Sequence, residues 1–240
     1  MPHTIFNLDE VAAYLHVTVP DVERLVREQA IPFKNQGNRP FFQRKDIDGW
    51  ANQRIMGMSE QKLTDFHKKT TARAHDLSFS HALIPELMSP AGIEPELEAK
   101  TKPSVIRSMV KLAYATNLVI YPEDLQESVI EREKLCSTAL AGGFSLLHTL
   151  HHDPYLFEDS FIVLGRTIQS LPFRAVDGQM TNLFFMLCCQ DDRIHQHVLA
   201  RLCMMCQRTN LILKLRSAEI AEEMFELLVD KEQEIIKAHS

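Results

Sequence analysis

Hydrophobic residues among the first 57 positions recur at helical spacing in three short runs. Leu8, Val11, Ala12 and Leu15 fall on one stripe, and Asn7 with Glu10 three residues on reads as the capping box that starts it. After a turn at His16-Val17, Thr18 caps a second helix, with Pro20 in its first turn and Asp21 at the acidic third position. Val22, Leu25 and Val26 form its inner face, Glu23, Arg24 and Arg27 point outward, and Ile31-Pro32 ends it. Phe33 to Phe42 holds two aromatic-rich stretches around a glycine-containing turn, which predicts a β-hairpin with basic residues near its tip. Asp46 then caps a third helix through Ile47, Trp50 and Ile55.

The pattern changes after residue 57. Residues 58–80 are polar; Leu63, Phe66, Ala74 and Leu77 fit a/d spacing, with Thr70 at the seam, so a short dimerising helix and a flexible tether are both open. Ile84 to Met88 is apolar and breaks at Ser89-Pro90. Val105, Ile106, Met109, Val110, Leu112 and Ala113 give Thr101 to Asn117 a helical period, and a further helix runs from Pro122 through Leu125, Val129 and Ile130 to Lys134. Phe144 to Leu147, Phe161 to Leu164 and Leu183 to Cys189 read as buried strands, and Leu211 to Leu215 as a fourth. Ile194 to Cys206 and Ala218 to Leu228 read as helices. Strands alternating with helices over this length predict an α/β domain with a covered sheet. The expected organisation is a domain over 1–57, a linker over 58–80 and a second domain over 81–240.

Composition adds exclusions. A chain of 240 residues with 45% hydrophobic and 24% charged residues is ordinary globular material. No apolar run is long enough for a membrane helix, and the opening Met1-Pro2-His3-Thr4-Ile5-Phe6-Asn7 has neither a basic nor an apolar leader region. Five cysteines without an export signal predict reduced thiols and a cytoplasmic setting. The net charge of −6 argues against a general nucleic-acid binder, but it is unevenly spread. Residues 1–57 carry seven Lys/Arg against seven Asp/Glu and residues 58–80 carry four against three, so the acidity belongs to 81–240.

Helix, tight turn, helix, hairpin, helix is the order of a winged helix-turn-helix. Leu8-Asp9-Glu10-Val11-Ala12-Ala13-Tyr14-Leu15, Val17-Thr18, Val22, Arg24-Leu25, Ile31-Pro32, Arg39 and Ile47 to Trp50 together resemble the excisionase/MerR-type DNA-binding domain. The resemblance implies that the second helix enters the major groove, with Arg24 and Arg27 facing it, and that Lys34, Asn38, Arg39 and Arg44 make wing-side phosphate contacts. A neutral head gains little nonspecific affinity, so DNA binding would call on a homodimer or a partner to double the contacts.

Arg132-Glu133-Lys134-Leu135-Cys136-Ser137-Thr138 followed by Ala141-Gly142-Gly143-Phe144-Ser145-Leu146-Leu147-His148 resembles the active-site segment of enzyme IIA of the bacterial phosphotransferase system, in its fructose/mannitol and nitrogen-regulatory class. Leu171-Pro172-Phe173, Val176-Asp177, Leu183-Phe184 and the stretch His195 to Leu202 follow in that family's order. The resemblance spans 84–228 and implies a helix-covered mixed sheet. By it, His148 would accept a phosphoryl group, Arg132 would neutralise phosphate charge, His195 would be the second imidazole, and the Ser137 and Thr138 hydroxyls would orient them. Imidazole suits the task because it is unprotonated near neutral pH. The sequence departs from the family pattern at Leu147 and Thr149, where Pro and Gly are usual, at Ala141-Gly142-Gly143 for Gly-x-Gly, and at Ser145 for Ala.

A metal site has candidate ligands in His148, His151, His152, His195, His197, Cys188-Cys189 and the Cys203 to Cys206 pair, but the cysteines fall within apolar segments, so buried thiols are expected and no metal. No nucleotide-binding glycine loop is present, so no cofactor is expected. The expected function is a cytoplasmic bacterial regulator that couples DNA binding to a phosphoryl relay, with an HPr-like phosphocarrier protein as donor. As an enzyme it would be a phosphohistidine phosphocarrier at most. The competing reading is a phosphocarrier, or a IIA-like sensor that takes no phosphate, whose head binds protein.

Overall fold

The computed structural model describes residues 5–15, 17–37, 39–56, 80–151 and 156–238. The chain forms two compact units, Met1–Met58 and Ser59–Ser240.

In the first unit, strand β1 (Ile5–Phe6) leads into helices α1 (Leu8–Tyr14) and α2 (Val19–Arg27), then β2 (Lys34–Gln36), β3 (Arg39–Gln43) and helix α3 (Arg44–Met56). The expected capping box forms at α1, and the expected Thr18 cap at α2 is itself a capping box. Asn7 N–H donates to Glu10 Oε2 at 2.7 Å and Glu10 N–H to Asn7 Oδ1 at 2.9 Å, while Thr18 and Asp21 exchange the equivalent bonds at α2. Val11, Ala12, Leu15, Val22, Leu25, Ile31, Phe42, Ile47 and Ala51 make a separate core. Trp50 caps it from the side, its indole N–H donating to Ala30 O at 2.6 Å. Two details differ from the sequence reading. β1 pairs with β3 and makes the wing sheet three-stranded, and α3 begins at Arg44, which places Asp46 in the first turn rather than at the cap. Asn38, His152 and residues 57–79, with the a/d positions Leu63, Phe66, Ala74 and Leu77, lie outside the described residues.

The second unit opens with a short helix α4 (Ile84–Leu87) and a 3-10 turn, then β4 (Ile93–Leu97), α5 (Lys102–Tyr114), α6 (Pro122–Leu135), β5 (Ala139–Leu140), β6 (Phe144–His148), β7 (Phe161–Leu171) and β8 (Thr181–Cys188). Three helices close it: α7 (Asp192–Arg208), α8 (Leu211–Ser217) and α9 (Ala221–Lys237). The sheet order is β4-β7-β8-β6-β5, with β4/β7 and β6/β8 parallel and β7/β8 and β5/β6 antiparallel. Alternation along β8 sends Phe184, Met186 and Cys188 into one core with Val105, Met109, Leu125 and Val129 of α5 and α6, which leaves Leu183, Phe185 and Leu187 to the opposite face.

Leu211 to Leu215 is helix, not strand. Leu211, Ile212 and Leu215 are buried while Leu213 is 68% exposed, a spacing of one helical face. β4 and β5 were not foreseen. β4 carries Glu94, Pro95 and Glu96 and occupies a sheet edge, where one-sided pairing tolerates a proline and polar residues.

Candidate functional site

Parallel pairing of β6 with β8 sets Phe144 opposite Leu183 and His148 opposite Leu187, so both strands end together. Asp191, just beyond β8, caps α7 by accepting from the backbone N–H groups of Arg193 and Ile194. The first turn of α7 thereby brings His195 against the end of β6, with the His148 and His195 ring centroids 4.8 Å apart. Arg132, in the last turn of α6, completes the group. All three side chains are buried.

The hydrogen bonds fix the state of His148. Its Nδ1 lies 2.8 Å from Leu146 O, which can only accept, so Nδ1 carries the proton. Its Nε2 accepts from Arg132 Nε at 2.8 Å, and a guanidinium can only donate. The ring is therefore neutral, with its lone pair on Nε2. Arg132 Nη1 donates to Cys136 O and Cys136 Sγ, both at 3.2 Å. Arg132 Nη2 is buried and has no partner among the described residues, and none of the arginine's partners is a carboxylate.

The two hydroxyls sit differently. Ser137 Oγ donates to Phe173 O and accepts from Ala139 N–H, which pins the loop after β7 rather than the imidazoles. Thr138 donates its backbone N–H and its hydroxyl to Glu133, at 3.0 and 2.6 Å, and its hydroxyl lies 2.8 Å from Ser145 Oγ. Glu133 also pairs with Lys102, whose ammonium stands 4.6 Å from the Phe173 ring. Ser137 and Thr138 thus join β5 to its surroundings and are not among the hydrogen-bond partners of the histidine pair. Glu133 was missed as a participant, although it stands next to Arg132 in sequence.

The turn between β5 and β6 needs its glycines. Gly142 and Gly143 have φ of 94° and 78°, and a Cβ at Gly143 would lie 2.7 Å from Met180 O and collide with Arg216. Arg216 donates to Gly142 O at 2.7 Å and to Asn182 Oδ1 at 3.0 Å. Gly142 N–H donates to Asp177, whose carboxyl is held below its usual range by the N–H groups of Gln179 and Gly142.

The thiols are not arranged as ligands. Cys188, Cys189 and Cys203 are buried and Cys206 is partly buried. Burial pushes the Cys203 thiol up to about 12 and raises those of Cys188, Cys189 and Cys206 as well. Among the described residues no three His, Cys, Asp or Glu side chains are gathered as a metal would need. His151 is exposed.

His197, two residues beyond His195 on α7, is pulled down to about 3 by burial, and then by the charges of Arg201 and Arg193. A base depressed in the folded state is protonated first in the unfolded chain. The stability it contributes is complete above pH 6.5 and falls as pH drops from 6.5 toward 3. The second unit is expected to lose up to about 1.4 kcal/mol per pH unit across that window. His197→Gln flattens the slope in urea titrations followed by circular dichroism between pH 4 and 7; an unchanged slope would assign the acid sensitivity to other groups.

In the first unit, Arg24 and Arg27 lie exposed on α2, Arg24 paired with Asp21 at 3.2 Å. Lys34 and Arg39 lie exposed on β2 and β3, and Arg44, half-buried, stands 5.9 Å from the Tyr14 ring centroid.

The molecule is thus a helix-turn-helix unit followed by a mixed-sheet unit with an arginine and two histidines at its strand ends. The family model for the phosphoenolpyruvate-dependent sugar phosphotransferase system, EIIA 2, matches residues 86–231, more than half of the chain, and the chain belongs to that family. A helix-turn-helix domain model matches residues 5–55. The nitrogen regulatory protein of Escherichia coli K12 is 26% identical over 141 residues, covering 57% of this chain and 83% of that protein. The structure of nitrogen regulatory protein IIA-Ntr from Neisseria meningitidis is 25% identical, with a TM-score of 0.56 over 61% of this chain and 99% of that one. Enzyme IIA for mannitol from Escherichia coli, solved in complex with phosphorylated enzyme IIB, shares the fold at 19% identity, with a TM-score of 0.53 over 60% of this chain and 97% of that one.

Proposed function

We propose that this chain is a cytoplasmic bacterial regulator in which a DNA-binding head is joined to a phosphoryl-accepting IIA domain. The observation that carries the reading is the Arg132–His148 pair: a neutral imidazole with its lone pair on Nε2, beside a buried guanidinium with a donor to spare. His148 Nε2 would attack the phosphorus of an HPr-like phosphocarrier's phosphohistidine. The new N–P bond forms as the donor's N–P bond breaks, the donor nitrogen keeps the electron pair, and the proton stays on His148 Nδ1, donated to Leu146 O. Arg132 would meet the equatorial oxygens, and the start of α7 adds positive potential. The phosphate on His148 changes the charge of the domain by about two units. That change is the signal passed to the head, where Arg24, Arg27, Lys34, Asn38, Arg39 and Arg44 would contact DNA, with dimerisation doubling the contacts. The nitrogen regulatory relatives support regulation over sugar uptake. A cytoplasmic setting agrees with the finding that no helix of the described residues is long and apolar enough to cross a membrane.

Two experiments test it. With a phosphorylated HPr-like carrier, wild type takes up label and His148→Ala does not; label that persists in the variant overturns the acceptor. In a gel shift on the chain's own upstream DNA, wild type binds at low salt. Arg39→Ala lowers the salt slope by about one ion. Absence of any shift at low salt sinks DNA binding and leaves a protein-binding head.

A second reading draws on the burial of His148, Thr149 and His195, each 0 to 1% exposed. A domain that keeps this pair closed would sense or bind without taking phosphate. Failure of every cognate donor to label the chain selects it.

A further inference from the structure

Arg132 divides its donors three ways. Nε holds the lone pair of His148 Nε2, Nη1 is committed to Cys136, and Nη2 is unspent. The Nε bond cannot survive phosphorylation, because the lone pair it occupies becomes the new N–P bond. Of the partners that hold the guanidinium now, only Cys136 remains afterwards. Cys136 is suited to that role by position. It follows Arg132 by four residues, one helical turn on, and it ends α6 with extended backbone, φ −160° and ψ 154°. Its carbonyl and its Sγ both accept from the one Nη1, so Nη1 stays held at two points when Nε gives up the imidazole and can turn with Nη2.

We propose that Cys136 is a positioning residue, the pivot on which Arg132 turns from the imidazole lone pair to the oxygens of the transferred phosphoryl group. This rests on the phosphoryl-accepting reading of His148. As His148 Nε2 attacks, Arg132 Nε–H leaves the lone pair and, with Nη2–H, donates to phosphoryl oxygens. Nη1 stays on Cys136. The thiol itself neither gains nor loses a proton. An alanine at 136 keeps the carbonyl but removes the second anchor, and a serine restores an acceptor at nearly the same place.

The test compares full-length wild type, Cys136→Ala and Cys136→Ser in two measurements. Phosphoramidate, a small N–P donor, serves as the probe, so no partner protein is needed. Uptake on His148 in the alanine variant is expected to slow about tenfold, with the serine variant within about twofold of wild type and thermal midpoints unchanged. Labelling of wild type matched by Cys136→Ala at the same rate overturns the proposal. The second measurement needs no phosphate: solvent exchange of the Arg132 Nε proton, read by nitrogen-resolved NMR. Exchange is expected to quicken in Cys136→Ala and recover in Cys136→Ser. Equal exchange in all three overturns the pivot whether or not the chain takes phosphate. If wild type takes no label while exchange follows the expected order, the phosphoryl reading of His148 has failed and the positioning of Arg132 stands.

Discussion

Arg132→Gln is expected to take up phosphate at His148 about a hundred to a thousand times more slowly than wild type, the range seen when a preorganised donor to developing charge is removed from a buried site. The structure says why the effect is large. The guanidinium is buried, with a carbonyl, a thiol and a neutral imidazole as its partners. None of these partners is a carboxylate, so the charge would be open to a phosphoryl group, and buried charge acts at low dielectric. Glutamine keeps a donor but loses the charge and two of the three donating edges. Arg132→Lys keeps the charge without the fork and is expected to fall between. Initial rates of label transfer from a phosphorylated HPr-like carrier measure the effect, with unfolding midpoints as control. A glutamine variant that matched wild type would remove Arg132 from the reaction.

Glu232→Leu is expected to destabilise the second unit by about 3–5 kcal/mol, the cost of leaving one member of a buried ion pair alone. Glu232 and Arg201 are 0% and 1% exposed and pair at 3.0 Å. Burial raises the carboxyl and lowers the guanidinium, so desolvation outweighs their mutual attraction. Glu232 further accepts the N–H groups of Leu83 and Ile84 at 2.8 and 2.9 Å, and leucine would orphan both. Arg201→Met with Glu232→Leu should recover part of the loss, because no charge is then stranded. The chain carries a single tryptophan, Trp50, and it lies in the first unit. Tryptophan fluorescence should therefore hold its urea midpoint while circular dichroism of the second unit shifts. Movement of both midpoints together would refute an effect confined to one unit.

Features written in local sequence were legible. The Asn7–Glu10 box, the Thr18 cap and the spacing of Val105, Ile106 and Met109 need only near neighbours to form. The ordered set from Arg132 to His148 marked the residues that meet at the strand ends, and His195 was found because the family order extends past it. What failed was long-range or ambiguous. Leu211 to Leu215 is too short an apolar run for period alone to separate helix from strand. β4 exists by pairing with β7, where Ile93 lies opposite Leu164, 71 residues on in the chain. Glu232 offered no signal, because its partners lie 31 and 148 or 149 residues distant. Thr138 and Ser137 were read as orienting the imidazoles; their hydroxyls bind Glu133 and Phe173 O because those groups are the acceptors within reach of β5.

The grip of Glu232 on Leu83 and Ile84 has a consequence during synthesis. The last helix of the second unit ties down the first residues of that unit, so Leu83 and Ile84 gain these partners only once residue 232 has left the ribosome. The first unit has its own core, built from Val11 to Ala51. For the time taken to translate the rest of the chain, a nascent molecule carries a finished head and an unfinished body. Whatever the head binds, it can meet before the domain that would govern it exists.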